Sequence, residues 1–292
     1  MKETFFPPAF IAKYKRFCGV EWDVFFQTIK TKQPKSFWVN TNKIGVGALT
    51  NSLRQKGVKF ENYAFSKQSF SIDATKPGDF EEYKKGWMSL QEKAAMMPVV
   101  ALGVDKKDYV LDCCAAPGMK TIQLSNFGGK VVACEVNTKR VQALEKTKMA
   151  FALRNVDIRR TDFRNVKEKF DKVLLDAPCS SEGLVRKRKE ALDDWTQNLV
   201  TRKAKLQKSL IISAFDALRP GGEMVYATCS FAVEENEEVV NFLLQLREGA
   251  IVVPVKLDGV KVRENKLCPN AVRLWPQDND TQQFFFAKIR KG

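Results

Sequence analysis

From residue 105 onward, short apolar runs alternate with helical stretches, and this alternation confines that part of the chain to an α/β fold with a mostly parallel sheet. Tyr109 to Asp112 reads as a strand, followed by a Gly/Pro turn and a helical stretch from Thr121 to Asn126. Val131 to Glu135 is a second strand ending in an acid, and a helix follows from about Lys139 to Leu153. Asp157 to Asp162 is a third edge, and Phe170 to Asp176 is a buried strand. A long helix from Thr196 to Leu218 is stopped by Pro220-Gly221-Gly222, with a strand at Met224 to Ala227 beyond it. Glu234 to Leu246 is a helix with an acid-rich first turn, which its dipole favours, and Phe284 to Ile289 is a last strand.

The front of the chain differs. Ala9 to Ile29 has helical apolar spacing, Phe37 to Asn40 is strand-like, Leu49 to Lys56 is a short helix, and Lys59 to Phe65 and Ser69 to Asp73 are further strand candidates. Residues 1–85 are therefore read as a small α+β module and residues 86–292 as the larger domain, with a linker around Thr75 to Lys85. The front segment holds 15 Lys+Arg against 8 Asp+Glu, and the whole chain 49 against 34, a net charge of +15. A surplus of this size suits a polyanion such as nucleic acid, although lysines that only solvate the surface give the same count. No apolar run is long enough for a membrane span, and MKETFFPPAF lacks the apolar stretch of a signal peptide. A cytoplasmic, monomeric protein is expected.

The 292 residues contain no histidine. Ser-His-Asp and Cys-His nucleophiles, HExxH zinc proteases and histidine-ligated deaminases are thereby excluded. The seven cysteines, 18, 113, 114, 134, 179, 229 and 268, include no CxxC pair, so no metal site is expected.

Three strand ends carry chemistry. The first is Asp112-Cys113-Cys114-Ala115-Ala116-Pro117-Gly118-Met119-Lys120-Thr121, where small residues and a helix N-terminus suit a ligand's carboxylate or phosphate. It is no P-loop: Cys114 and Met119 stand where GxxxxGK[ST] needs glycine. Glu135, at the end of the next strand, is placed for ribose hydroxyls, and Asp162 for a purine amino group. The others are Asp176-Ala177-Pro178-Cys179-Ser180-Ser181-Glu182-Gly183 and Ala227-Thr228-Cys229-Ser230. Two cysteines at the edge of a nucleotide-like pocket suit thiolate chemistry; buried filler is the bland alternative.

DCCAAPGMKT, DAPCSSEG and ATCS, in that order, with AFDALRPGGEMVY before the last and EENEEVVNFL after it, resemble the Nol/Nop/Sun family of RNA cytosine-5 methyltransferases. PKSFWVNTNK, GWMSLQEKAAMMPVVAL and DTQQFFFAKI resemble the family's framework, so the likeness covers most of the chain. It implies a Rossmann-like methyltransferase domain preceded by an RNA-docking module, in a compact member without an appended C-terminal RNA-binding domain. It further implies S-adenosylmethionine held by Cys114, Ala115, Ala116, Pro117, Gly118, Met119 and Lys120, with Glu135, Arg140, Asp162 and Asp176. By family position Cys229 is the nucleophile that adds to carbon 6 of cytosine, and Cys179 helps remove the carbon 5 proton and release product. Asp176 bonds the base edge, and Lys120 orients it. Departures are Met119 for a glycine, bearing on cofactor fit; Trp38 for an arginine, exchanging a phosphate contact for stacking; and Gln283 for a glycine.

Arg186-Lys187-Arg188-Lys189 beside the Cys179 loop is expected to clamp phosphate and, with Lys120, to favour the thiolate. Trp38, Trp87 and Trp195 are candidates for base stacking or for core. The expected substrate is structured RNA, with tRNA ahead of ribosomal RNA. The rivals are a DNA enzyme using Cys179 as nucleophile and a non-catalytic RNA-binding or assembly protein.

Overall fold

The computed structural model describes residues 6–292; residues 1–5, which open the segment read for a signal peptide, lie outside the described residues. The helical stretch expected over Ala9 to Ile29 is two helices, α1 (Pro8–Cys18) and α2 (Trp22–Lys30), because Gly19 turns the chain at φ +55°. A four-stranded antiparallel sheet follows, in the order β2-β3-β1-β4, from β1 (Lys35–Val39), β2 (Lys59–Asn62), β3 (Ser69–Asp73) and β4 (Met88–Leu90). Helix α3 (Val46–Gln55) buries Leu49 and Leu53 against Phe37, Val39 and Phe70. Strand alternation then sends Trp38 to the opposite face, where it is fully buried and donates from Nε1 to Asn126 Oδ1 at 2.9 Å. Trp38 is core, and the stacking expected of it has no free ring face.

The stretch expected as a linker is folded. It holds a 3₁₀ turn at Pro77–Asp79 and α4 (Glu81–Lys84), where buried Glu82 accepts from Ser52 Oγ at 2.6 Å and Lys56 Nζ at 2.5 Å. The small sheet also continues past residue 85, since Phe37–Val39 pairs with Met88–Leu90.

The larger unit begins with α5 (Lys93–Leu102), capped by Glu92, whose carboxylate accepts from the Ala94 and Ala95 N–H groups. Then come β5 (Tyr109–Asp112), α6 (Met119–Phe127), β6 (Lys130–Cys134), α7 (Thr138–Ala150), β7 (Val156–Arg159) and β8 (Phe170–Asp176). The remaining elements are α8 (Gln197–Asp216), β9 (Leu218–Thr228), α9 (Glu237–Leu246), β10 (Ala250–Val253), β11 (Val272–Leu274), α10 (Pro276–Asn279) and β12 (Phe284–Lys291). Pro220-Gly221-Gly222 does not stop the long helix, which ends at Asp216; it lies inside β9. The sheet runs β10-β12-β9-β8-β5-β6-β7, with β11 on β12, parallel from β7 to β9 and antiparallel at β12 and β10. One face packs Val110, Leu174 and Val225 beneath α5, α6 and α7; the other packs Leu111, Val173 and Leu175 beneath α8 and α9. Burial on both faces explains the apolar runs Val110-Leu111 of β5 and Val173-Leu174-Leu175 of β8.

This α/β architecture puts the carboxyl ends of β5 to β9 along one edge, with the reversal of strand order between β5 and β8, the place where open sheets form their crevice. Helices α1 and α2 pack directly behind that edge. Phe10, Tyr14 and Phe25 share a core with Val185, Trp195 and Phe231, which lie in the loops beyond β8 and β9. No helix among the described residues is long and apolar enough to cross a membrane.

Candidate active site

The turn after β5 is guided by its neighbours: Cys113 N–H donates to the Leu174 carbonyl at 2.9 Å, and Ala115 N–H to the Cys134 carbonyl at 3.0 Å. The Ala116–Pro117 peptide is cis, and Gly118, at φ +109°, opens α6. A methyl group at Gly118 would stand 2.9 Å from Leu144 Cδ1 and Thr147 Cγ2, so only glycine lets α7 approach this closely. Helix α7 latches the turn, with Thr147 Oγ1 donating to the Pro117 carbonyl at 2.8 Å and Arg140 donating to the Ala116 carbonyl. Asp112, which opens this motif but has no role of its own in the sequence reading, accepts from Thr121 Oγ1 at 2.7 Å, and burial pushes its carboxyl up to about 7. Met119 is half-buried and packs on the core beneath the turn.

Glu135 follows β6. Its Oε1 accepts from the Val136 and Asn137 N–H groups at 2.9 and 3.0 Å. Its Oε2 is buried without a hydrogen bond, although Arg140 Nη1 stands 3.1 Å away as an unaligned ion pair. Asp162 is less free than expected: Arg164 binds it through backbone N–H, Nε and Nη2, and that guanidinium holds its carboxyl below the usual range. These groups line a cleft of about 490 Å³ that continues to Asp176, Cys179 and Cys229, with Leu206 and Leu210 of α8 as apolar wall. Arg164, Leu206 and Leu210 escaped the sequence reading, because no motif contains them. The orphaned Glu135 Oε2, the acids along the cleft and its volume fit a nucleoside carrying a cationic sulfonium and an ammonium group.

Across the cleft, β8 and β9 run parallel and adjacent, so their loops emerge together and bring Cys179 Sγ within 3.2 Å of Cys229 Sγ. Gly183 N–H donates to the Cys229 carbonyl at 2.9 Å; a Cβ there would sit 2.8 Å from that oxygen and 2.5 Å from the Gln283 carbonyl oxygen. Lys120 Nζ donates to Asp176 Oδ2 at 2.7 Å and lies 5.3 Å from the Phe284 ring centroid. The hydrogen bond with Cys229, burial and the Glu235 carboxylate together push the Cys179 thiol well above its ordinary range. Cys114 lines the cleft, and burial pushes its thiol up as well.

The basic tetrad is not a clamp as a unit. Arg186 is buried, donating to the Thr281 carbonyl and Asp280 Oδ1 at 2.6 Å each and to Thr31 Oγ1 at 3.0 Å, which ties α2 to the loop before β12. Lys187, Arg188 and Lys189 remain exposed. Trp195 is buried and donates from Nε1 to Glu182 at 2.8 Å, while Trp87 is half-buried beneath Lys85 Nζ. Gln283 is buried, with neither side-chain polar atom hydrogen-bonded.

Residues 99–290 match the family described as 16S rRNA methyltransferase RsmB/F, and residues 6–93 match the N-terminal domain of 16S rRNA methyltransferase RsmF. The chain belongs to the RsmB/F family. Among curated relatives of this RsmB/F chain, ribosomal RNA small subunit methyltransferase F of Vibrio campbellii (strain ATCC BAA-1116) is 37% identical over 304 residues, spanning 99% of this chain and 64% of the relative. The protein of that name from Shewanella amazonensis (strain ATCC BAA-1098 / SB2B) is 37% identical over 269 residues, 88% of this chain and 58% of the relative. The chain thus spans less than two thirds of the length of these relatives. A solved methyltransferase homolog protein from Pyrococcus horikoshii superimposes with a TM-score of 0.87 at 27% identity, covering 100% of both chains.

Proposed function

We propose that this RsmB/F chain methylates carbon 5 of a cytosine in 16S ribosomal RNA, drawing the methyl group from S-adenosylmethionine. The observation that carries the reading is the pair of sulfurs 3.2 Å apart on the rim of a cleft suited to that donor. Ribosomal RNA, the alternative to tRNA in the sequence reading, is what the family description and the relatives' names support. The RNA-docking role of residues 1–85 stays part of the proposal.

In this reading Glu135 receives the ribose hydroxyls, Asp162 with Arg164 flanks the adenine, and Cys114 to Lys120, with Arg140, cradle the remainder. S-adenosylmethionine, when bound, supplies a methyl group on a positively charged sulfur. Cys229 enters as a thiolate, adds to carbon 6 of the flipped cytosine, and so makes carbon 5 electron-rich. Cys179, held as a thiol, donates to the Cys229 sulfur. On release, the Cys179 proton passes to the departing Cys229 sulfur while Cys179 takes the proton from carbon 5, which leaves both as thiols and frees the product. Asp176 bonds the base edge, with Lys120 fixing its direction from above Phe284.

Cys229→Ala is expected to abolish methyl transfer and the covalent RNA adduct, and Cys179→Ala to permit attack but trap the protein on RNA, read by denaturing gel with 16S rRNA fragments. The reverse outcome assigns the nucleophile to Cys179, as in the DNA-enzyme logic, and an inactive wild type with intact RNA binding sinks the enzyme reading.

A further inference from the structure

The loops that carry the two sulfurs share a support within EENEEVVNFL, a segment to which the sequence assigns no part in the site. Glu235 is fully buried in the 3₁₀ turn Val233–Glu235 ahead of α9. Its Oε2 accepts from the Ser180 N–H at 3.0 Å and from Gln207 Nε2 at 2.8 Å, and its Oε1 accepts from Ser230 Oγ at 2.7 Å. Ser180 directly follows Cys179, and Ser230 directly follows Cys229; their hydroxyls lie 3.1 Å apart. Gln207 of α8 also donates to the Pro178 carbonyl at 3.0 Å, so the Cys179 loop is gripped on both sides of the sulfur. Asn236 completes the brace, donating from Nδ2 to the Ser230 carbonyl at 2.8 Å.

We infer that Glu235 is a positioning residue for the proposed reaction: one buried carboxylate ties the residue after each cysteine, fixes the gap between the sulfurs and keeps the shared proton on Cys179. The inference rests on the function proposed above. Its electrostatic half follows from placement. No cation is hydrogen-bonded or ion-paired to Glu235 among the described residues, so its charge acts on what surrounds it. Those groups are Cys179 from the loop after β8, Tyr226 from β9, whose hydroxyl donates to the Glu235 carbonyl at 2.5 Å, and Glu182 beyond Cys179. An anion beside a thiol opposes a second anion there, and the Glu235 charge is among the causes that push Cys179 up.

Shape and charge separate experimentally. Glu235→Gln keeps an oxygen for Ser180 N–H and Gln207, and its amide can donate to Ser230 Oγ, which turns its own proton to Ser180 Oγ. Glu235→Ala removes both. In the free protein, iodoacetamide labelling resolved by peptide mass spectrometry is expected to show Cys179 reacting at a pH lower by about one unit in Glu235→Gln. Glu235→Ala is expected to lower kcat for RNA by about 100-fold, with S-adenosylhomocysteine binding unchanged, and Glu235→Gln to recover most of that loss. A Cys179 labelling profile in Glu235→Gln that superimposes on the wild type overturns the inference, as does wild-type kcat in Glu235→Ala. Should Glu235→Ala fail to fold, the labelling profile of Glu235→Gln decides alone. A wild type that methylates no cytosine would sink the proposed function instead, while the labelling still reports on Glu235.

Discussion

The two sides of the cleft are built by different means. On the side proposed to hold the cofactor, the turn from Cys114 to Met119 is held by the next strand and helix in the chain: the Ala115 N–H reaches Cys134, Arg140 reaches Ala116, and Thr147 reaches Pro117. This is the self-contained arrangement of consecutive βα units. The sulfur side draws on distant segments: Glu235 binds Ser180 from 55 residues away, and Tyr14 of α1 donates to Glu182 from 168 residues away. The cofactor half is thus specified locally, whereas the geometry of the sulfurs depends on buried carboxylates and on the N-terminal helices. Damage to one side is expected to spare the other.

Among substitutions that leave both sulfurs in place, the largest expected difference between the two sides comes from Gly183→Val. Any Cβ there meets the Gln283 carbonyl oxygen at 2.5 Å and that of Cys229 at 2.8 Å, both backbone atoms that cannot swing aside. The Cys229 loop must shift, and a displacement of about 1 Å in a reacting group costs on the order of 100-fold. Single-turnover methyl transfer is expected to fall at least that far, while calorimetric binding of S-adenosylhomocysteine stays within about threefold. Equal loss of both would break the comparison. Glu135→Gln is the converse and smaller perturbation: the amide oxygen keeps the Val136 and Asn137 caps, but the orphaned acceptor is lost. Cofactor affinity is expected to drop about tenfold, the worth of one charge-assisted hydrogen bond. The rate at saturating cofactor should be nearly unchanged.

The same contrast explains what could be read from the sequence. The limits of β5 and β8 match the expected strands residue for residue, because each carries a buried apolar run set between a charged stretch before it and a proline-containing turn after it. The turn after β5 was legible for the same reason, as was the convergence of Cys179 and Cys229, which follows once β8 and β9 are neighbours. Trp38 was not, since a strand buried on both faces gives no alternation to tell a core ring from a base-stacking one. The sequence groups Arg186 with its three basic neighbours as a phosphate clamp, because its partner Asp280 lies 94 residues further on. On sequence alone, the acids opening the helix near residue 235 complement its dipole. Instead, Glu235 is buried against both sulfur loops, and Glu237 pairs with Arg273 at 2.5 Å. No local pattern distinguishes a buried carboxylate with a distant partner from an exposed one.

Buried carboxylates also give the comparison a pH signature. Glu182 accepts from Tyr14 and Trp195, and burial pushes it up to about 7; Glu92 and Asp112 are pushed up to about 7 by the same cause. Between the ordinary carboxyl pKa near 4 and the raised value, the folded chain holds protons that the unfolded chain has lost, so stability increases as pH falls through this window. The increase is complete once the pH nears the unfolded value, and it is absent above about 7. Paired acids held low, such as Asp216 beside Arg247 and Asp278 beside Arg263, act oppositely, but only at lower pH. The thermal midpoint is therefore expected to rise by a few degrees from pH 8 to about 5.5 and to fall below about 4. Glu182→Gln removes one of the three contributions and should flatten the rise by about a third, provided the groups act independently. Because Glu182 anchors α1 behind Cys179, the flattening should come with altered labelling of Cys179 and unchanged S-adenosylhomocysteine affinity. A Glu182→Gln curve that parallels the wild type throughout would show that the tie from α1 to the sulfur loops carries no proton.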